Sequence, residues 1–231
     1  MDKKQVYPIA ALFAICAVLV IGISWWVGSD APATDTSATN RVTETTLTPE
    51  ALPEYEETMH NKNNPVAVLE TTAGTIEIEL YEDAMPITAG NFKKLVNEGF
   101  YDGIKFHRVI DGFMIQGGDP ITKTDDVMRY GTGGPGYSIP DEHVAADHLS
   151  NLRGTISMAN SGPNSGGSQF FINLVDNVNL DFNKQPLSSQ HPVFGKVISG
   201  MNIVDEIGGV ATNAADQPIE PIVITKATIR E

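Results

Sequence analysis

The sequence predicts a mainly β chain: a closed antiparallel barrel with two α-helices, preceded by one N-terminal transmembrane helix. Three observations carry this. Many short segments alternate apolar and polar residues with period two and are bounded by glycine, proline and asparagine. Two segments show helical spacing instead. A single charge-free apolar run stands at the N-terminus. Closing many short strands into a barrel removes exposed sheet edges, which favours that architecture over an open sheet.

The elements follow in chain order. Ile9 to Val27 is a nineteen-residue run without a charge. At about 1.5 Å per residue it spans close to the hydrocarbon core of about 30 Å. Lys3 and Lys4 precede it, Asp30 and Asp35 follow it, and Trp25 and Trp26 stand at an interfacial level. The positive-inside rule places the N-terminus in the cytoplasm and the remainder outside. A cleaved signal peptide is the alternative, with a small-residue site near Asp30-Ala31-Pro32-Ala33, although its apolar region is usually shorter. Residues 1–28 are therefore read as anchor or signal anchor. Residues 29–64, rich in Thr, Ala, Asn, Glu and Pro, are read as a disordered linker that buries too little apolar surface to offset its ordering entropy. Within it, Thr48 and Pro49 fit the cap and first residue of a short helix over 48–59.

Residues 65–231 form the predicted domain. Val66–Leu69 and Thr75–Leu80 read as a hairpin across Thr72-Ala73-Gly74. Thr88 is the expected cap of a helix through Asn91, Phe92, Leu95 and Val96, ending near Gly99. Strands are expected at 104–109, 112–117, 154–158, 169–174 and 192–198. A second helix is expected over Met201 to Ile207, stopped by Gly208-Gly209, and a closing strand over Ile222 to Ile229. No internal repeat is present.

Charge narrows the function. The net charge is −14, and the two lysines and two aspartates of the first thirty residues cancel, so the remainder keeps it. A binder of nucleic-acid backbone needs cations to neutralise phosphates, so no nucleic-acid partner is expected; adhesion to anionic lipid is disfavoured likewise. The single cysteine, Cys16, lies in the apolar run, so no intramolecular disulfide forms and cysteine usage does not choose a redox compartment.

The chemistry is concentrated in Phe106–Asp119. It sets Arg108 beside Phe113, Met114 and Gln116, a cation and an amide at the edge of an apolar wall. With Ser157–Asn164 and Gly167–Ile172, this stretch resembles the cyclophilin family of peptidyl-prolyl cis-trans isomerases, in the form of a membrane-anchored, prokaryotic-like member. The resemblance covers roughly residues 65–231 and implies an eight-stranded antiparallel barrel capped by two α-helices. It implies isomerisation of Xaa-Pro bonds in extracytoplasmic proteins as a folding helper, with proline-containing polypeptides as partners and neither cofactor nor metal. Arg108 is the catalytic residue it implies. Phe113, Met114, Phe171 and Leu180 match the pocket for the proline ring, although singly each would be ordinary core. Gln116 matches the residue that holds substrate backbone and orients the arginine. Ala159 and Asn160 match the edge that pairs with the peptide in the manner of strand addition, and His191 matches the pocket rim. His107 is assigned to packing. One departure stands out: Asn179 precedes Leu180 where the family often has tryptophan, and the stretch Asp181 to Gln190, which includes Phe182, is long. Weak cyclosporin binding is expected in consequence.

Other patterns resolve into ordinary structure. Gly131–Gly136 formally fits a dinucleotide fingerprint, but Pro135 and Tyr137-Ser138-Ile139-Pro140 deny it the following helix; in the family it is a surface loop near the peptide groove. Asp141, Glu142, His143, Asp147 and His148 lack a ligand spacing for a metal. The Ser-Gly runs at 161–168 hold no Gly-x-Ser-x-Gly nucleophile elbow. The rival reading from another class is a membrane-tethered chaperone that binds proline peptides with little turnover.

Overall fold

The computed structural model describes residues 63–143, 149–181 and 190–231. The expected transmembrane helix, the linker up to residue 62, the helix at 48–59, Asp147, His148 and Phe182 lie outside the described residues; the last linker residue, Asn64, is instead buried and donates to Glu79 Oε1 at 3.0 Å. Among the described residues no helix is long and apolar enough to cross a membrane.

Eight strands form one antiparallel sheet: β1 (Val66–Thr71), β2 (Gly74–Leu80), β3 (Arg108–Ile110), β4 (Met114–Gly117), β5 (Thr155–Met158), β6 (Phe170–Asn173), β7 (Val193–Ser199) and β8 (Ile224–Arg230). Their spatial order is β3-β4-β6-β5-β7-β2-β1-β8. The sheet curls until its ends approach. The expected barrel closure is made by a short seam and not by a ladder between β3 and β8. One bridge joins Lys105 to Val223, and Phe106 N donates to Ile222 O and Ile224 N to Ile104 O. The expected strand 104–109 is thus divided: 104–106 serves the seam, and β3 proper starts at Arg108.

Two helices accompany the sheet, α1 (Thr88–Asn97) against β7 and β8, and α2 (Met201–Gly208) against β2. The cap of α1 differs from expectation. Thr88 is the first helical residue and makes no side-chain cap bond. The Glu142 carboxylate takes the role from 54 residues away, accepting from Ile87 N (3.1 Å) and Thr88 N (2.8 Å). An anion there satisfies orphan donors and complements the helix dipole. At the other end Gly99, at φ +66°, permits a Schellman closure. Phe100 N reaches Leu95 O and Gly99 N reaches Val96 O.

The core lies between the sheet and α1. Phe92, on the buried face of α1, packs against Tyr101, Phe170 and Phe194 with ring centroids 4.8–5.4 Å apart. The inward rows of the sheet complete it. Val109, Ile115, Ile172 and Ile156 stand in register across β3, β4, β6 and β5, each at most 2% exposed.

Candidate active site

The next row on the same four strands has the opposite character. Arg108 pairs with Gln116, Gln116 with Phe171, and Phe171 with Ser157. Side chains alternate faces along a strand, so this row points away from the aliphatic one. Met114, two residues from Gln116, shares its face. Met114 and Phe171 are 2% and 4% exposed, yet among the described residues they are the two buried hydrophobics that stand outside the core cluster. Together they form a separate apolar floor beside an arginine.

Arg108 itself is exposed. Its Nε lies 3.6 Å from Asp216 Oδ2, with both side chains a little under half exposed. Asp216 is held firmly: it adopts a left-handed conformation at φ +59°, its N–H reaches Asn213 O, and its carbonyl accepts from Val109 N. The contact turns the Nε edge of the guanidinium toward Asp216, and its Nη groups make no hydrogen bond among the described residues.

Several groups rim the floor. His191 meets Phe171 edge-on, with centroids 5.3 Å apart. Its Nδ1 lies 3.1 Å from Met158 O; a carbonyl only accepts, so Nδ1 carries the proton. Burial, the largest influence, pushes its pKa down and keeps the ring neutral. A 3-10 turn at Val178–Leu180 brings in Leu180, whose carbonyl accepts from His191 N. Asn179 is exposed on that turn. Phe113, half-buried in the turn just before β4, has its carbonyl fixed by Leu174 N and by Asn177 Nδ2 (2.9 Å).

Behind the floor runs a polar network that sequence reasoning missed. Asn177 Nδ2 also donates to Asn173 Oδ1, Asn173 Nδ2 to Thr155 Oγ1, and Ser157 Oγ to Asn151 Oδ1. Asn151 Nδ2 in turn reaches His191 O and the Asp181 carboxylate. Asn151 and Asn173 are 22 positions apart and Asn151 and Asp181 are 30, and no local pattern joins them.

On the other side of Gln116 a cavity of about 470 Å³ opens. Gln116, Ala159 and Asn160 line it together with Gly131–Pro135, Tyr137 and Gln169. Gln116, Ala159 and Asn160 thus line a polar groove, and on the other side Phe171, with Met114 on the same face, meets His191, whose N–H holds the Leu180 carbonyl. Ala159 N is already engaged by Gln169 O, which leaves of the expected pairing edge the Ala159 carbonyl and the main chain of Asn160. Its main-chain N–H and C=O make no hydrogen bond among the described residues, while its Nδ2 donates to Gln190 O.

His107 packs as expected. It is 5% exposed, and neither ring nitrogen has a hydrogen-bond partner among the described residues. Burial lowers its pKa, against an opposing pull from Asp119. The acidic loop has structural work as well: Glu142 caps α1, and Asp141 exchanges bonds with Asn164.

Comparisons with known proteins identify the family. The family model "Cyclophilin type peptidyl-prolyl cis-trans isomerase/CLD" matches residues 66–229. The peptidyl-prolyl cis-trans isomerase ppi1 of Schizosaccharomyces pombe is 43% identical over 163 residues, 69% of this chain and 95% of that protein. The human peptidyl-prolyl cis-trans isomerase-like 1 is 40% identical over 167 residues, 71% and 91% of the two chains. A crystal structure of a Cryptosporidium parvum cyclophilin-type isomerase, determined in the presence of the dipeptide Ala-Pro, matches with a TM-score of 0.62 at 30% identity. It covers 72% of this chain and 99% of that one. The chain belongs to the cyclophilin-type peptidyl-prolyl cis-trans isomerase family.

Proposed function

We propose that this cyclophilin-type isomerase acts on Xaa-Pro bonds of extracytoplasmic polypeptides while tethered by its N-terminal apolar run, in the manner of a membrane-anchored, prokaryotic-like member, and so assists their folding. The observation that supports the chemistry is the row Arg108–Gln116–Phe171 across three adjacent strands, with its apolar floor outside the core.

The prolyl bond interconverts over tens to hundreds of seconds unaided, because twisting it breaks amide resonance, a barrier of about 18–20 kcal/mol for peptide bonds. Nothing covalent is needed to lower it. The twisted bond must be bound better than the planar one. The ring sits on Met114 and Phe171, walled by Phe113, Leu180 and His191. The twisted prolyl nitrogen gains a lone pair, and Arg108 donates to it from a planar, permanently charged group. Gln116 and the main chain of Asn160, next to Ala159, hold the flanking peptide. Because Asn179 stands where the family often has tryptophan, cyclosporin binds weakly.

The test is the cis-to-trans exchange rate of a short Xaa-Pro peptide by NMR. Acceleration supports the enzyme; peptide binding without acceleration moves the reading to the tethered chaperone. Topology is tested separately by adding protease to intact cells. Digestion of the domain supports the outside assignment, and digestion only after lysis contradicts it.

A further inference from the structure

Gln169 has no part in the chemistry just described, yet its amide is committed at both ends. Its Nε2 donates to the carbonyls of Gly131 (2.9 Å) and Gly133 (2.8 Å). Carbonyls only accept, so the atom facing them must be the amino group whichever way the amide is drawn. That leaves Gln169 Oε1 facing Gln116 at 3.0 Å. An oxygen there accepts only, so Gln116 must face it with its own amino group. Two linked amides therefore leave Gln116 Oε1 as the outward atom, with no partner among the described residues.

The anchor of this relay is stiff. Gly131 uses both main-chain groups: its carbonyl takes Gln169, and its N–H donates to Asp119. Asp119 is fully buried, and its other oxygen accepts from Ile121 N at 2.7 Å. The Asp119 carboxylate also occupies the space a side chain at Gly133 would need. The wall 131–133 is thus pinned from behind, and Gln169 transmits its polarity forward.

We propose that Gln169 is a positioning residue: the amide relay from the 131–133 wall fixes Gln116 so that it presents a carbonyl oxygen, and not an amino group, to the substrate N–H groups and to the Arg108 guanidinium. A flipped Gln116 would set acceptor against acceptor at Gln169 Oε1, leaving that oxygen unpaired, and donor against donor toward the substrate N–H groups and Arg108. This rests on the isomerase reading of the Arg108 site.

A double-mutant cycle in the full-length chain tests it. Gln169→Met lowers kcat/KM about tenfold in the wild-type background and less than about twofold in the Gln116→Ala background, because residues in one network are not additive. Equal losses in both backgrounds would overturn the relay. Gln169→Glu adds a pH signature: only its protonated form has a donor for the wall and an acceptor for Gln116. Its kcat/KM, relative to wild type, rises as pH falls, and a flat ratio contradicts the proposal. The side-chain amide resonance of Gln116 gives a readout independent of turnover. It shifts in Gln169→Met if the relay exists and stays in place if it does not. Absence of turnover in the wild type would sink the isomerase reading instead, and the amide resonance would still judge the relay.

Discussion

Two adjacent rows of one sheet, a single residue apart on every strand, do opposite work. The inward row Val109, Ile115, Ile172, Ile156 is aliphatic and sealed. The outward row Arg108, Gln116, Phe171, Ser157 runs from an exposed cation to a buried hydroxyl. The pleat separates them, so the core can hold the strand spacing rigid while the site keeps polar groups near water. Stability and chemistry therefore belong to different side chains on the same backbone.

The sharpest way to break this comparison is the pair Phe170 and Phe171, neighbours in sequence on opposite faces. Phe170→Ala removes a ring packed against Phe92 and Phe106 and is expected to cost about 3–5 kcal/mol of stability by denaturant titration. Phe171→Ala is expected to cost less stability and to lower kcat/KM more. Equal effects of the two on both readouts would erase the distinction between the faces.

Asn177→Ala probes the network between the rows and the rim. It leaves the Phe113 carbonyl short of one donor and Asn173 Oδ1 unpaired, an expected loss of about 1–3 kcal/mol. An unchanged denaturation midpoint would show that the network does not hold the rim.

Acid tests two histidines, buried His107 and partly buried His191. The pKa values of His107 and His191 are both lowered from the ordinary 6.5, chiefly by burial. The unfolded chain therefore binds protons first on acidification. Their contribution to stability is complete above about pH 6.5 and is lost as pH falls through the folded values. Thermal unfolding followed from pH 8 to 5 should show the midpoint fall beginning near pH 6.5, and less steeply in His107→Asn. A midpoint that stays level over that range contradicts the assignment.

The smallest expected effect is at Asp216. Its contact with Arg108 is long and exposed, so Asp216→Asn should change stability by less than about 1 kcal/mol. The salt dependence of kcat/KM should change more visibly, since one of two facing charges is gone. An unaltered salt profile would mean that Asp216 does not bias the arginine.

How much of this was legible in the sequence varies by feature. Strand positions were, because Thr75–Leu80 alternates and the turns carry glycine. The split between faces was not legible on β6, where Phe170, Phe171 and Ile172 are all apolar and offer no alternation; the resemblance, not periodicity, singled out Phe171. The α1 cap was misplaced at Thr88 because the group that fills the role, Glu142, is remote in sequence. The Asn151–Asn173–Asn177 network and the Asp216 contact are joined only by folding. Gln169 lay inside a quoted motif, but its role depends on Gly131 and Gly133, which read as a plain surface loop.

The most direct test of the central claim is to measure isomerisation rate and unfolding free energy together for Arg108→Ala and Ile115→Ala, which flank the same strand pair. Arg108→Ala is predicted to lose about 10²-fold in kcat/KM while its stability stays within about 0.5 kcal/mol of wild type. Ile115→Ala is predicted to lose about 2–5 kcal/mol while the molecules that remain folded keep their rate. An Arg108→Ala protein that still isomerises Xaa-Pro bonds at the wild-type rate would contradict the account.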